Sequence, residues 1–155
     1  ISENDLSDSA QIIVDILSRF IFEDTVFKLR KEGSLSSDEL CDIMLSAQKQ
    51  TYGDGLSLYH PYMWVCKPHY YDAQYNYYNF PYAFGLLLAK GLYRMYINDK
   101  SGFIPKYRKL LSLTGKASIK DTALSVGIDL SDEHFWNMSV EEIKSDIEKF
   151  MKIGD

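Results

Sequence analysis

Leu35-Ser36-Ser37-Asp38-Glu39-Leu40 has the pattern of a helix start. Ser36 is placed to accept a bond from the backbone three residues on, Glu39 to reach back to the Ser36 amide, and Leu35 to pack on Leu40 as a hydrophobic staple. The helix so opened is predicted to run to about Gln50, ahead of the breaker Tyr52-Gly53-Asp54-Gly55. On the N-terminal side, Ile13, Ile16, Leu17, Phe20 and Phe27 recur at three- and four-residue steps, the helical period, and Gly33 stops a long helix over Ala10 to Arg30. Beyond Gly55, Pro61 and Pro68 predict an ordered loop up to His69, followed by a helix from about Gln74 to Ile97 that Asn98-Asp99 ends. Pro81 is tolerable there in a first turn or as a kink. Two further S-x-x-D/E signals, Ser118 to Asp121 and Ser139 to Glu142, predict two more helix starts. Gly127 is placed to close the shorter of these helices, and Ile143, Ile147, Phe150 and Met151 form one stripe on the other. No run alternates with the two-residue period of a half-buried strand and no period of 20 to 50 residues recurs, so the fold class is all-α without solenoid repeats.

With 155 residues, 46% of them hydrophobic, the expectation is one helical domain over 1–155. Seventeen basic against 22 acidic residues give a net charge of -5 with no long block of either sign, which disfavours nucleic acid or an anionic membrane as partner. No stretch reaches the roughly 18 apolar residues of a membrane span. Cys41 and Cys66 form no C-x-x-C pair, and two reduced thiols in a cytoplasmic protein is the expected reading. The histidines His60, His69 and His134 lack the four-residue spacing of a helical zinc pair, so no metal ligand is assigned within the chain. Phosphate-loop and G-x-S-x-G signatures are likewise missing. His60, beside Pro61, is read as a buried or loop-anchoring histidine.

Twelve tyrosines are the outlier, and six of them stand with a histidine in the 14 residues from His69 to Tyr82. One reading is a helix start packed with amphipathic rings whose hydroxyls reach water or a carbonyl. In the other, phenols and an imidazole converge where negative charge develops and donate to an oxyanion. Tyr71, Tyr75, Tyr78 and Tyr82 follow steps of four, three and four and would share one face once the helix has begun.

The order of several blocks carries a family resemblance. Arg19-Phe20-Ile21-Phe22-Glu23-Asp24, Tyr52-Gly53-Asp54, His60-Pro61-Tyr62-Met63-Trp64, Lys67-Pro68-His69-Tyr70-Tyr71, Tyr78-Asn79-Phe80-Pro81-Tyr82-Ala83-Phe84-Gly85, Gly127-Ile128-Asp129 and Phe135-Trp136 closely resemble the C-terminal portion of oligoendopeptidase F. Tyr71-Asp72-Ala73-Gln74-Tyr75 followed by Tyr78 is similar to the tyrosine-rich loop of the related thimet oligopeptidases. The resemblance implies the multi-helix C-terminal lobe of a zinc metallopeptidase that hydrolyses short peptides. Its zinc is held by an H-E-x-x-H helix and a later glutamate that this chain does not show. The partners it implies are short peptide substrates and the N-terminal remainder of the same enzyme. His69 and Tyr78 resemble the pair that hydrogen-bonds the substrate carbonyl and the tetrahedral intermediate, and Tyr71 and Tyr75 match tyrosines lining the same cleft. Glu3, Glu23 and Glu32 lie too late in family order to be the glutamate ligand, and a solvated helix face is the expected role of Glu23 and Glu32. The rival reading, from the residues alone, is a stand-alone helical module that binds a peptide or small aromatic ligand through the tyrosine cluster without metal.

Overall fold

A computed structural model describes residues 3–152, and among them every regular element is helical, with no strand. The described residues fall into two compact units, residues 7–84 and residues 3–6 with 85–152.

The 7–84 unit is built on two helices. A continuous helical run comprises α1 (Glu3–Ala10), a π turn over Gln11–Asp15 and α2 (Ile16–Leu29); α3 (Ser37–Tyr52) follows. The capping box that opens α3 forms as the sequence predicts: Ser36 N–H donates to Glu39 Oε2 at 2.8 Å and Glu39 N–H to Ser36 Oγ at 3.3 Å. Phe22 of α2 packs with Met44 and Ala47 of α3, and Ile21, Val26, Leu40, Ile43, Met63, Trp64 and Tyr70 close around them. Gln48 is 1% exposed, and an amide so deep must be satisfied. Its Nε2 donates to His60 O at 2.9 Å and its Oε1 accepts from His60 N–H at 3.1 Å. That two-point bond ties the loop after α3 to the core, so His60 anchors the loop through its backbone while its ring stays exposed. Two 3-10 turns, Met63–Cys66 and Pro68–Tyr71, then carry the chain to the tyrosine-rich segment.

The helix expected from about Gln74 starts later than the spacing predicts. It is α4 (Phe80–Asn98), so residues 74–79 are turns and the helical start near Gln74 is corrected. Pro81 explains the delay: in a helix begun at Gln74 its ring would clash with the Tyr77 carbonyl and its missing N–H would leave that carbonyl without a partner. Tyr77 instead takes φ 53, a conformation a tyrosine rarely adopts, and Pro81 falls in the first turn of α4, where its missing donor costs nothing.

The second unit continues with α5 (Lys100–Leu113), α6 (Ile119–Leu124) and α7 (Glu133–Met151). Asp99 ends α4 and caps α5 by accepting from Gly102 N–H at 2.9 Å. Ser118 caps α6 through Asp121 N–H at 3.1 Å, as its spacing predicts. Gly127, at φ 83, closes a Schellman motif in which Ile128 N–H reaches Ala123 O and Gly127 N–H reaches Leu124 O, both at 3.0 Å. The motif carries Ile128 onto Ala123, and with Val126 and Phe135 they make the core of this unit.

The third S-x-x-E signal is not a cap. Asp132 caps α7 by accepting from His134 N–H at 2.9 Å, and Ser139 and Glu142 lie inside that helix. Ser139 Oγ turns back to Phe135 O at 3.0 Å, as a buried hydroxyl within a helix does. Glu142, 4% exposed at its side chain, pairs with Arg94 at 3.3 Å and Asp146 with Lys90 at 2.5 Å, both cations coming from α4. The buried line of α7 is thus Phe135, Ser139, Glu142 and Asp146, while Ile147 and Met151 of the apolar stripe are exposed. Burial works against the Asp146 charge, but hydrogen bonds from Lys90 and Lys149 outweigh it and hold the carboxyl below its ordinary range. A close approach accompanies these pairs: a Cβ added at Gly91 would lie 2.5 Å from Phe135 Cζ and 2.6 Å from Ser139 Oγ.

Cys41 is buried and Cys66 exposed, both as free thiols. Among the described residues no helix is long and apolar enough to cross a membrane.

Gly91 and Gly85 share α4 but have different surroundings, since nothing lies within 4 Å of a Cβ at Gly85. Gly85→Ala is expected to stabilise by up to about 1 kcal/mol through helix propensity. Gly91→Ala is expected to destabilise by about 1–3 kcal/mol through overpacking, less the same propensity gain. Urea denaturation of both variants checks the contrast, and equal midpoints would refute the close approach at Gly91.

Candidate active site

The segment after His69 is held on α2 through one residue. Tyr77 N–H donates to Glu23 Oε1 at 2.9 Å and its phenol O–H to Asp24 Oδ1 at 3.1 Å. Its ring meets Phe20 at 5.3 Å and Phe27 at 5.6 Å between centroids. Positions 20, 23, 24 and 27 are one face of a helix, so the periodicity of α2 builds the seat for Tyr77. This revises the role of Glu23, which is 6% exposed rather than part of a solvated face, while Glu32 is exposed. Burial pushes the Glu23 carboxyl above its ordinary value, and the bond from the Tyr77 amide opposes that rise.

Tyr70 docks the other end of the segment. Its ring lies 5.1 Å from Phe22, its hydroxyl donates to Arg19 O at 3.4 Å, and burial, then Glu23, pushes its phenol well above the ordinary range. Between these anchors the backbone is bent by an Asx turn, in which Asp72 Oδ1 accepts from Gln74 N–H at 2.9 Å.

The result is a cavity of about 300 Å³ lined by Pro68, His69, Asp72, Tyr75 and Tyr78. His69 is half-buried, and its ring lies 5.8 Å from that of Tyr78 and 4.4 Å from that of Tyr70. Tyr75 stands edge-on to Tyr78 at 5.4 Å, and Tyr82 follows at 6.3 Å. A hydrogen bond with the Tyr78 phenol raises the Tyr82 phenol above its ordinary value. His69 is lowered by burial first, then by the charges of Arg19 and Lys67, so it stays neutral at pH 7. The cavity therefore presents a neutral imidazole and phenol hydroxyls, groups able to donate to a carbonyl oxygen and to the oxyanion it becomes.

Of the four residues marked from the sequence, His69, Tyr75 and Tyr78 meet at this cavity. Tyr71 does not: its hydroxyl donates to Val65 O at 3.3 Å, and it lines a neighbouring cavity of about 490 Å³ with Phe22, Val26, Arg30 and Asn76. The shared helical face for Tyr71, Tyr75, Tyr78 and Tyr82 is corrected with the helix start, since only Tyr82 is on α4. Turns, not helical periodicity, bring Tyr75 and Tyr78 together. Sequence reasoning missed Asn79, whose Nδ2 lies 3.0 Å from His69 Nε2, and the seat residues Glu23 and Asp24. Asp72 two residues before Gln74 was a legible Asx-turn signal; nothing local marked Asn79.

Among the described residues no group of three or more His, Cys, Asp or Glu is placed to hold a metal ion. The chain matches no family model, no curated protein and no solved structure.

The raised Glu23 carboxyl has a defined pH signature. A folded-state pKa above the unfolded value means the folded chain holds the proton more tightly, so this contribution is greatest below the unfolded value near 4.5 and is lost as pH rises through the folded value. Glu23→Gln is expected to flatten that loss, narrowing the gap in melting temperature to wild type, or reversing it, as pH is raised from 4 to 7. A gap that widens over that range would show Glu23 to be stabilised as the anion.

Proposed function

We propose that this chain is the helical C-terminal part of a cytoplasmic zinc-dependent oligoendopeptidase, contributing oxyanion donors and part of the substrate-cleft wall for short peptides. The observation that carries the reading is the meeting of His69, Tyr75 and Tyr78 at one cavity, with His69 and Tyr78 rings 5.8 Å apart. The ordered sequence blocks that resemble oligoendopeptidase F add to it, since the resemblance implies that the matching histidine and tyrosine face the zinc ion. On this reading zinc belongs to the N-terminal remainder of the enzyme, and the chain alone has no peptidase activity.

In this role the neutral His69 and the Tyr78 phenol donate to the scissile carbonyl oxygen, and their bonds strengthen as charge builds on it. Preorganised donors act because they need no reorientation during the reaction, and the anchors at Tyr70 and Tyr77 supply that rigidity. Tyr75 adds an aromatic wall against which a peptide side chain packs.

The coding sequence upstream of Ile1 discriminates this reading from a stand-alone ligand-binding module: an H-E-x-x-H helix with a later glutamate supports the peptidase, and their absence favours the module. In the full-length enzyme, Tyr78→Phe removes one O–H and keeps the ring. The expected result is a loss of kcat of about a hundredfold or more with little change in substrate binding. A lowered melting temperature with full kcat would instead make Tyr78 a packing residue.

A further inference from the structure

We infer that Asn79 is a positioning residue for His69: by donating to Nε2 it holds the imidazole as the tautomer protonated at Nδ1. The inference deepens the proposed function and depends on it for its purpose, though its chemistry can be read without substrate or metal.

The contact presents the Asn79 amide nitrogen to the ring. Asn79 Nδ2 carries only hydrogens, so the ring nitrogen 3.0 Å away has to be the bare acceptor. A neutral imidazole has one N–H, which must then sit on Nδ1. An imidazolium has no bare nitrogen and would lose this bond. The groups facing the ring also disfavour the cation: Arg19 comes from α2, Lys67 from the segment before the ring, and the Tyr70 and Tyr78 rings flank it. The Asp72 carboxylate of the same cavity accepts from Gln74 N–H in its own turn.

Asn79 is itself well fixed. It directly precedes α4, and its carbonyl accepts from Tyr82 N–H at 3.2 Å in the first turn. The start of α4, set by Pro81, therefore determines where the amide stands. With Nε2 occupied, Nδ1–H is the donor left for a substrate oxygen. Free histidine favours the opposite tautomer, so without Asn79 the proton would mostly leave the nitrogen that has to donate.

The test is long-range 1H–15N correlation spectroscopy on the 155-residue chain with labelled histidine, using His60 and His134 as internal references. The expected spectrum shows His69 with a protonated Nδ1 and a bare Nε2 at neutral pH. Asn79→Asp replaces the donor by a carboxylate that can only accept, which should reverse the tautomer and raise the His69 pKa by about one unit or more. Asn79→Leu should return the ring to the tautomer of free histidine, and circular dichroism checks that each variant folds. If Asn79→Leu does not fold, the wild-type and Asn79→Asp spectra decide. A protonated Nε2 in the unaltered chain, or a tautomer indifferent to Asn79, overturns the inference. The peptidase reading fails separately: Nδ1–H in the chain together with full kcat in Tyr78→Phe of the full-length enzyme would sink that reading and leave the tautomer standing.

Discussion

The tyrosine-rich segment depends on how one face of α2 holds Tyr77. Phe20, Glu23, Asp24 and Phe27 take its ring, its amide and its hydroxyl, and hold the residue at φ 53. A tyrosine in that region costs about 1 kcal/mol or more and persists only where its surroundings over-determine it. Here the bond from the Tyr77 amide to the buried Glu23 carboxyl and two aromatic contacts supply the determination. The strained residue turns the chain between Tyr75 and Tyr78 so that both rings reach the His69 cavity, and it also frees Pro81 to begin α4. Loss of the Glu23 bond would loosen both the cavity wall and the helix start.

Buried carboxylates recur as organising groups in both units, with different partners. Glu23 has a backbone amide and is raised, whereas Asp146 has Lys90 and Lys149 and is lowered. The difference follows from what compensates desolvation: one neutral donor does not offset burial, and two ammonium groups do. A pair such as Lys90 and Asp146 adds little net stability over an apolar contact, but removing one partner leaves a buried charge, so the pairs fix which faces of α4 and α7 meet. The small Gly91 beside Phe135 and Ser139 completes that match of faces.

What the sequence made legible was local. Ser36 with Glu39, Ser118 with Asp121, and Gly127 each act within one turn of chain, and each does what its spacing predicts. The same S-x-x-E spacing at Ser139 and Glu142 misled because a serine within a helix can bond back to its own turn, and a glutamate can be buried when a distant arginine meets it; neither partner is visible in a four-residue window. The helix start near Gln74 misled for a related reason. Apolar and aromatic periodicity ran through residues 74–79, but the proline four residues after Tyr77 outweighed it. His69, Tyr75 and Tyr78 could be marked as a group, while Asn79 and Glu23 could not, because their roles arise only when separate segments meet.

The tyrosines of the cluster fall into two groups by their surroundings. Tyr70 and Tyr77 have spent their hydroxyls on Arg19 O and Asp24 and pack their rings on α2, which is how satisfied structural tyrosines behave. Tyr71 donates its hydroxyl to Val65 O. Tyr75, Tyr78 and Tyr82 remain about half exposed, their rings meeting one another in sequence beside His69. An exposed run of phenols would ordinarily move freely, yet the chain carrying these is held by Tyr70 before them and Tyr77 between them. The anchored tyrosines thus limit the movement of the backbone that carries the exposed ones, and under the proposed function this would lower the entropy those rings lose on meeting a peptide.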